Sequence, residues 1–241
     1  MKNYLKIGLY GDSLSLSRPD FVNMEERYFY KIINYYQTQF PGTIVETIQR
    51  SKASITSTEI ADIIHHDNVY FNWPGETCII HLGIVDCAPR PINNSLREKI
   101  SKWPSALKKI AISFLHNNRR KILLKGNVHF VTPINVFEAN LKRILSSSLE
   151  KYKKIIVITI CPTNSDFEFK SPGLSNAIEQ YNEVIRKQIN LLQKDKIKLV
   201  DINKIILDKK ESLDDYIVKQ DGHHITPKTH QIIFNKIIEA I

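Results

Sequence analysis

The run Ile155-Ile156-Val157-Ile158-Thr159-Ile160 decides the fold class of this chain. Its apolar side chains do not alternate with polar ones, which is typical of a strand covered on both faces by helices in a parallel sheet. Working outward from this run, apolar stretches of strand length predict five strands, at Tyr4 to Tyr10, Thr43 to Ile48, Cys78 to Leu82, Lys154 to Ile160 and Ile197 to Ile202.

Segments with helical periodicity lie between and after these strands. The clearest apolar stripes are Phe29, Ile32, Ile33, Tyr36 and Phe40; Ile178, Tyr181, Ile185, Ile189 and Leu192; and Ile233, Phe234, Ile237, Ile238 and Ile241. Strands that alternate with helices predict the α/β class with a parallel sheet. Because neither a repeat nor a composition shift marks a boundary, we expect one domain over residues 1–241.

The composition excludes several classes of protein. The chain has 241 residues, of which 42% are hydrophobic, and only 8 Gly and 10 Pro, so collagen-like and disordered chains are excluded. Its three cysteines, at 78, 87 and 161, form no Cys-x-x-Cys pair and predict reduced thiols in a cytoplasmic protein. Lys6 interrupts the N-terminal apolar run, and no stretch approaches the about 20 residues of a membrane span. We expect neither a metal nor a cofactor.

The net charge of +9 is concentrated in one segment. Residues 97–125 contain nine basic residues and one acidic residue, a net charge of +8. Such a segment could bind an anionic carrier, a nucleotide or a membrane surface. The alternative, which we favour, is the solvated face of helices. Few aromatic residues accompany the charges, so we expect no nucleic-acid partner.

Four segments rich in turn residues follow predicted strands and indicate where a site should be sought. They are residues 11–18, 49–54, 86–94 and 161–175. In an open α/β sheet such loops share the carboxyl edge of the strands, where ligands bind. We therefore expect the functional residues at this edge.

Ser13 is the first candidate for chemistry at this edge. The string Gly11-Asp12-Ser13-Leu14 follows the first strand directly, which places Ser13 in a strand-to-helix turn suited to a nucleophile. A serine hydroxyl needs a base, and His224 is the leading candidate among eight histidines. His81 lies inside a predicted strand, where we expect a core histidine with satisfied hydrogen bonds.

Asp221 could act together with His224. The string Asp221-Gly222-His223-His224 precedes the last helix, and one turn of chain can bring the carboxylate to the imidazole. The same string could instead be a turn with exposed histidines. A metal site is a weaker alternative, because no further ligands occur at suggestive spacing.

Three motifs together resemble the GDSL or SGNH hydrolase superfamily. They are Gly11-Asp12-Ser13-Leu14, Gly83-Ile84-Val85-Asp86 and Asp221-x-x-His224, and they occur in the family's order over nearly the whole chain. The resemblance implies a three-layer αβα sandwich, flavodoxin-like, with a five-stranded parallel sheet in the order 2-1-3-4-5. It also implies a catalytic triad of Ser13, His224 and Asp221.

The sequence departs from the family at both additional oxyanion donors. The family usually has a glycine after the second strand, and we take Ser54 as its equivalent here. It usually has an asparagine where this chain has Val85, and loss of one such donor lowers turnover by about 10² to 10³. We expect Gly83, Asp86 and Arg90 at the same edge, with Arg90 able to supply the missing positive charge or to bind an anionic substrate group.

The leading hypothesis is a serine-dependent acyl-ester hydrolase for a small acyl group, such as acetyl on a carbohydrate. The variant motif resembles members associated with bacterial surface-glycan biosynthesis, so an O-acyltransferase in that process is an alternative. A non-catalytic binding protein with the same fold is another. A weaker alternative makes Cys87 the nucleophile, although the sequence places no histidine near it.

Overall fold

The computed structural model of the chain describes residues 4–18, 20–70, 74–192 and 195–241. Five strands form one sheet in the order β2-β1-β3-β4-β5, and every neighbouring pair is parallel. The strands are β1 (Tyr4–Gly11), β2 (Ile44–Ser51), β3 (Gly75–His81), β4 (Tyr152–Ile158) and β5 (Ile197–Val200). The α/β class, and the strand order implied by the resemblance, are confirmed.

Eleven α-helices occur among the described residues. They are α1 (Tyr28–Gln39), α2 (Ser57–Tyr70), α3 (Ile84–Cys87), α4 (Asn94–Ser101), α5 (Ser105–Asn117), α6 (Arg119–Leu124), α7 (Ile134–Lys151), α8 (Ser165–Lys170), α9 (Leu174–Leu192), α10 (Ile202–Leu207) and α11 (Pro227–Ala240). The three apolar stripes seen in the sequence correspond to α1, α9 and α11.

The helices cover both faces of the sheet. Connections between parallel strands are right-handed. Along the sheet, the chain moves in one direction from β1 to β2 and in the opposite direction from β2 to β3, β4 and β5. Helix α1 therefore lies on one face, where it packs against α11. Helices α2, α7 and α9 lie on the other face, where α7 packs against both of its neighbours. The result is the three-layer αβα sandwich.

The run that decided the fold class is buried as predicted, since residues 155–158 of β4 are at most 1% exposed. The strand ends differ from the predicted ones. β2 continues through Gln49, Arg50 and Ser51, which polarity had assigned to a loop, because an edge strand remains partly in contact with solvent. β4 begins and ends two residues earlier than predicted, and Thr159 and Ile160 lead into the following loop.

The basic segment folds into α4, α5 and α6, between β3 and β4. Helix α5 buries none of its residues, and Leu107, Ile110 and Phe114 are all more than half exposed. The predicted solvated helices are therefore present, but they also carry an exposed apolar face that charge alone did not indicate. None of the described helices has the length and apolar character to cross a membrane.

Candidate active site

Ser13 occupies the first turn after β1. It begins a short 3₁₀ turn, Ser13–Ser15, which Asp12 caps by accepting a hydrogen bond from the N–H of Leu14 at 3.0 Å. The other oxygen of the Asp12 carboxyl accepts from the N–H groups of Gly83 and Ile84 at 3.0 and 3.3 Å. Burial raises the pKa of Asp12 to about 7, although these hydrogen bonds lower it in part. Asp12 thus ties the turn after β1 to the turn after β3.

Arg27 holds the same turn from the other side. Its Nε and Nη2 both donate to the backbone oxygen of Ser15, at 3.0 and 2.8 Å, and its side chain is buried. Burial lowers the pKa of Arg27. The sequence contained no signal for this role, because Arg27 belongs to no motif and reaches Ser15 only when α1 packs against the turn.

The side chains of Ser13, His224 and Asp221 lie in a hydrogen-bonded row. Nε2 of His224 is 3.0 Å from Oγ of Ser13, and Nδ1 of His224 is 2.8 Å from Oδ2 of Asp221. The N–H of His224 also donates to Oδ1 of Asp221 at 3.0 Å. Burial raises the pKa of Asp221, but the hydrogen bonds from His224 and His223 outweigh this effect and hold the pKa well below its usual range. The Asp221 carboxylate is therefore ionised at neutral pH.

Gly222 allows this loop to fit against the loop after β4. Its φ is +75°, and a Cβ at this position would lie 2.4 Å from both Oδ1 of Asn164 and Cβ of Phe167. Its backbone oxygen accepts hydrogen bonds from the N–H of Asn164 and the hydroxyl of Thr163, at 3.0 and 2.7 Å. The loop after β4 thereby fixes the position of Asp221 and His224.

His223 points toward the same region without joining the row. Its ring stacks on Phe167 with centroids 4.8 Å apart, and burial lowers its pKa. Asp221, His223 and His224 offer three potential metal-ligand atoms within 4.8 Å of one another. However, His224 and Asp221 direct these atoms at each other and at Ser13, an arrangement that suits proton transfer rather than metal binding.

A cavity of about 260 Å³, called here the site cavity, opens onto Ser13 and His224. The other predicted residues on its wall are Ser54, Val85 and Arg90. Ser54 has a φ of +63°, the only positive φ of a non-glycine residue in the described part of the chain. This left-handed backbone is the conformation that glycine adopts without strain, which fits the equivalence of Ser54 with a glycine. Val85 presents an apolar side chain to the site cavity.

Gly83 and Asp86 do not line the site cavity, contrary to expectation. The N–H of Gly83 is already bound by Asp12, so it is not free for substrate. Asp86 is fully buried and accepts hydrogen bonds from the N–H and hydroxyl of Ser57, both within 3.1 Å. Burial raises the pKa of Asp86, and its hydrogen bonds to Thr132 and Ser57 lower it in part. The hydrogen bonds of both residues therefore connect the turn after β3 to neighbouring segments of the chain.

Arg18 reaches the site although no motif includes it. Its Nη1 lies 3.3 Å from Nε2 of His224, and its Nη2 lies 3.7 Å from Oδ2 of Asp221. Arg119, from the basic segment, also lies on the wall of the site cavity. The clustering of basic residues in the sequence did not indicate that one of them would reach this edge.

His81 and Cys87 are both buried. His81 is a core residue, but only its Nδ1 has a partner, the hydroxyl of Tyr28 at 3.2 Å, whereas its buried Nε2 has none among the described residues. Burial lowers the pKa of His81 to about 3. Cys87 is fully buried, and burial raises the pKa of its thiol well above the usual value. A buried, protonated thiol does not suit a nucleophile.

Comparison with known proteins identifies similar sequences and folds. The family described as GDSL-like lipase/acylhydrolase matches residues 114–237. A lipase/acylhydrolase from Enterococcus faecalis superposes with a TM-score of 0.65 at 14% identity, covering 98% of this chain and 94% of that one. An acetylxylan esterase from Geobacillus stearothermophilus superposes with a TM-score of 0.60 at 15% identity, covering 100% and 96%. Curated protein sequences contain no match.

Proposed function

Because the chain belongs to the GDSL-like lipase/acylhydrolase family, we propose that it hydrolyses carboxylic esters of a small acyl group, such as acetyl on a carbohydrate, with Ser13 as nucleophile. One observation carries the assignment of residues. The side chains of Ser13, His224 and Asp221 form a continuous row in which each contact is 3.0 Å or shorter.

The row supports a two-step acyl transfer. Oγ of Ser13 attacks the ester carbonyl carbon while Nε2 of His224 takes the hydroxyl proton. The tetrahedral intermediate collapses, the bond to the leaving alcohol breaks, and that alcohol takes the proton from Nε2. Water then attacks the acyl-enzyme by the same route, which releases the acid and restores Ser13. Asp221, held ionised, orients the ring through Nδ1 and stabilises the imidazolium form.

The negative oxygen of the intermediate needs hydrogen-bond donors beside Ser13. Ser13 and Ser54 both line the cavity, and their backbone N–H groups are the first candidates. Val85 offers no side-chain donor, but Arg18 and Arg90 bring positive charge to the same wall. We propose that these groups replace the amide that the family usually supplies.

The size and surface of the site cavity support a small acyl group. Its volume of about 260 Å³ lies below the range of 300–1,000 Å³ that is usual for drug-sized ligands. Ile84, Val85 and Ala88 provide a short apolar wall that suits a methyl group. An acetylxylan esterase shares this fold, which is compatible with a carbohydrate ester as the substrate that we propose for this chain.

Transfer to a sugar hydroxyl is the second candidate. It differs from hydrolysis only in the alcohol that attacks the acyl-enzyme. A further cavity shares Arg90 and Arg119 with the site cavity and has room for a second substrate. Analysis of the products with and without an added sugar acceptor separates the two reactions.

The test is covalent labelling with a serine-reactive phosphonate, followed by mass spectrometry. We expect the label on Ser13, and Ser13→Ala should abolish both the labelling and the hydrolysis of an aryl acetate. Ser17→Ala is the matched control, because Ser17 lies in the same loop outside the cavity wall. Full activity in Ser13→Ala would show that the proposed mechanism is wrong, and a parent protein without labelling or activity would favour a non-catalytic binding role.

A further inference from the structure

A second cavity, called here the cationic cavity, adjoins the site cavity. It has a volume of about 390 Å³ and lies between the loop after β3 and helices α4 and α5. Arg90 and Arg119 line both cavities, so the cationic cavity begins where the site cavity ends. Further along, Arg97 and Lys108 add two positive charges, and Ile100 and Ile112 contribute apolar surface. No acidic side chain lines this cavity in the described part of the chain.

The charges of this cavity lack partners within the protein. The guanidinium of Arg90 has neither a hydrogen-bond acceptor nor a carboxylate among the described residues, and its Nε is buried. Arg119 donates only to neutral groups, the backbone oxygen of Pro89 and the hydroxyl of Ser171, and its Nε is also buried without a partner. Arg97 and Lys108 form no ion pair with any described residue.

Two other partly buried guanidiniums, those of Arg50 and Arg186, are paired with carboxylates. Arg50 donates to both oxygens of Asp67 at 2.9 Å. Arg186 donates to Asp201 at 2.8 Å. Arg27 lacks a carboxylate partner in the described part of the chain, but its Nε and Nη2 both donate to the backbone oxygen of Ser15. Among the described residues, only the guanidiniums of Arg90 and Arg119 have a buried Nε without a partner.

The unpaired charges of Arg90 and Arg119 are unfavourable until an anion binds, because both side chains are partly buried, whereas Arg97 is exposed to solvent. Burial lowers the pKa of Arg90, and burial together with the charge of Arg90 lowers the pKa of Arg119 to about 10. A bound anion would relieve both the lost solvation and the mutual repulsion. A guanidinium pair also matches the oxygens of phosphate and carboxylate groups, which it can bind through parallel hydrogen bonds.

We infer that the cationic cavity binds an anionic group, a phosphate or a carboxylate, carried by the substrate whose ester lies at Ser13. The location of the ester rests on the proposed function, whereas the binding of the anion does not. The apolar surface beside the cations accommodates the carbon skeleton that connects the two groups. The basic segment thus has an inward-facing role, because Arg97, Lys108 and Arg119 are three of its nine basic residues.

The first test measures binding without turnover. Phenyl phosphate, benzoate and phenol are titrated calorimetrically at low ionic strength into the parent protein and into Ser13→Ala. We expect phenyl phosphate or benzoate to bind at least about tenfold more tightly than phenol, since hydrogen bonds to charged groups are stronger than those between neutral groups. The anion that binds more tightly identifies the favoured group. Equal affinity for all three probes would overturn the inference.

Single substitutions in the lining of the cationic cavity test whether the anion binds there. Arg97→Gln and Lys108→Gln should each weaken phenyl phosphate binding by about threefold to tenfold. Lys121→Gln is the matched control, because it removes the same charge from the same segment outside the cavity lining, and it should leave binding unchanged. If Lys121→Gln weakened binding as much as Lys108→Gln, the general field of the segment would explain the result and the cavity would not.

The second test measures selectivity. The kcat/KM for 6-O-acetylglucose 1-phosphate should exceed that for 6-O-acetylglucose by about tenfold, through a lower KM, and this ratio should fall in the Arg97→Gln Lys108→Gln double variant. Equal values for the two esters would contradict the placement of the ester and the anion in one substrate. Binding in Ser13→Ala is read independently of catalysis, so failure of the proposed function and failure of this inference give different results.

Discussion

Oγ of Ser13 lies 3.0 Å from Nε2 of His224, although 211 positions separate the two residues in the sequence. Ser13 follows β1, which lies between β2 and β3 in the sheet, and His224 lies in the loop that precedes α11. The packing of α11 on α1 brings that loop over the carboxyl end of β1. The contact therefore depends on the complete fold and is sensitive to changes at either end.

Substitutions in the row of side chains should differ in severity. His224→Ala removes the base and should lower kcat on a short-chain aryl acetate by about 10⁶-fold, whereas Asp221→Asn removes only the orienting charge and should lower it by about 10⁴-fold. Steady-state kinetics with circular dichroism as a check on folding measures both effects. Equal activity in Asp221→Asn and the parent would contradict the role of Asp221.

Val85→Asn should raise kcat on an activated ester. An amide at this position would provide a side-chain donor where Val85 provides none, with an upper bound of about 10²-fold on the gain. Val85→Thr, which keeps the β-branched shape but places a hydroxyl on it, is a useful comparison. An unchanged or lower rate in Val85→Asn would indicate that another group, Arg90 first among them, already serves the oxyanion.

Ser54→Gly should stabilise the protein. The φ of +63° at Ser54 strains a residue that has a Cβ, and its relief should exceed the entropic cost of glycine by up to about 1 kcal/mol in the free energy of unfolding. Ala53→Gly, at the adjacent exposed position, lacks a positive φ and should destabilise by a few tenths of a kcal/mol to about 1 kcal/mol. Urea denaturation compares the two, and a loss of stability in Ser54→Gly would contradict the strain.

His81 should make folding stability depend on pH. Its pKa is about 3 in the folded protein and 6.5 when unperturbed, so the unfolded chain binds the extra proton between these values. Stability contributed by neutral His81 is therefore lost as the pH falls from 6.5 toward 3, by at most about 1.4 kcal/mol per pH unit. The stability contributed by neutral His230, whose folded pKa is also about 3, is likewise lost as the pH falls. The raised pKa of Asp12 has the opposite effect on the pH dependence of stability.

The contribution of His81 is isolated by comparison with His81→Gln. The slope of unfolding free energy against pH, measured between pH 4.5 and 6, should be smaller in the variant than in the parent by up to about 1.4 kcal/mol per pH unit. Asp12 is common to both proteins, and burial is the largest cause of the lowered pKa of His230, with the charge of His81 second, so their effects largely cancel in the difference. Identical slopes would show that His81 does not titrate differently in the two states.

The sequence alone determined the approximate positions of the strands and of the clearest helices, and it indicated three side chains that the fold brings into hydrogen-bond contact. Residues 155–160 indicated a buried parallel strand because the pattern of apolar residues is a local property that can be recognised in the sequence itself. The strings at 11–14 and 221–224 indicated Ser13, Asp221 and His224 because each lies where a turn must end a strand or precede a helix. The long distance between these two strings along the chain does not weaken the prediction, since each string is recognised from its own residues.

The tertiary structure alone decided which side chains face the cavity. Gly83 and Asp86 turn inward to Asp12 and Ser57, whereas Arg18 and Arg119 reach the site although neither belongs to a motif. Likewise, the sequence showed that residues 97–125 are strongly basic. It did not show which of these basic side chains line the cationic cavity and which face solvent. The direction of a side chain depends on how distant helices pack around its backbone, and that packing arises from non-local contacts that no short stretch of sequence encodes.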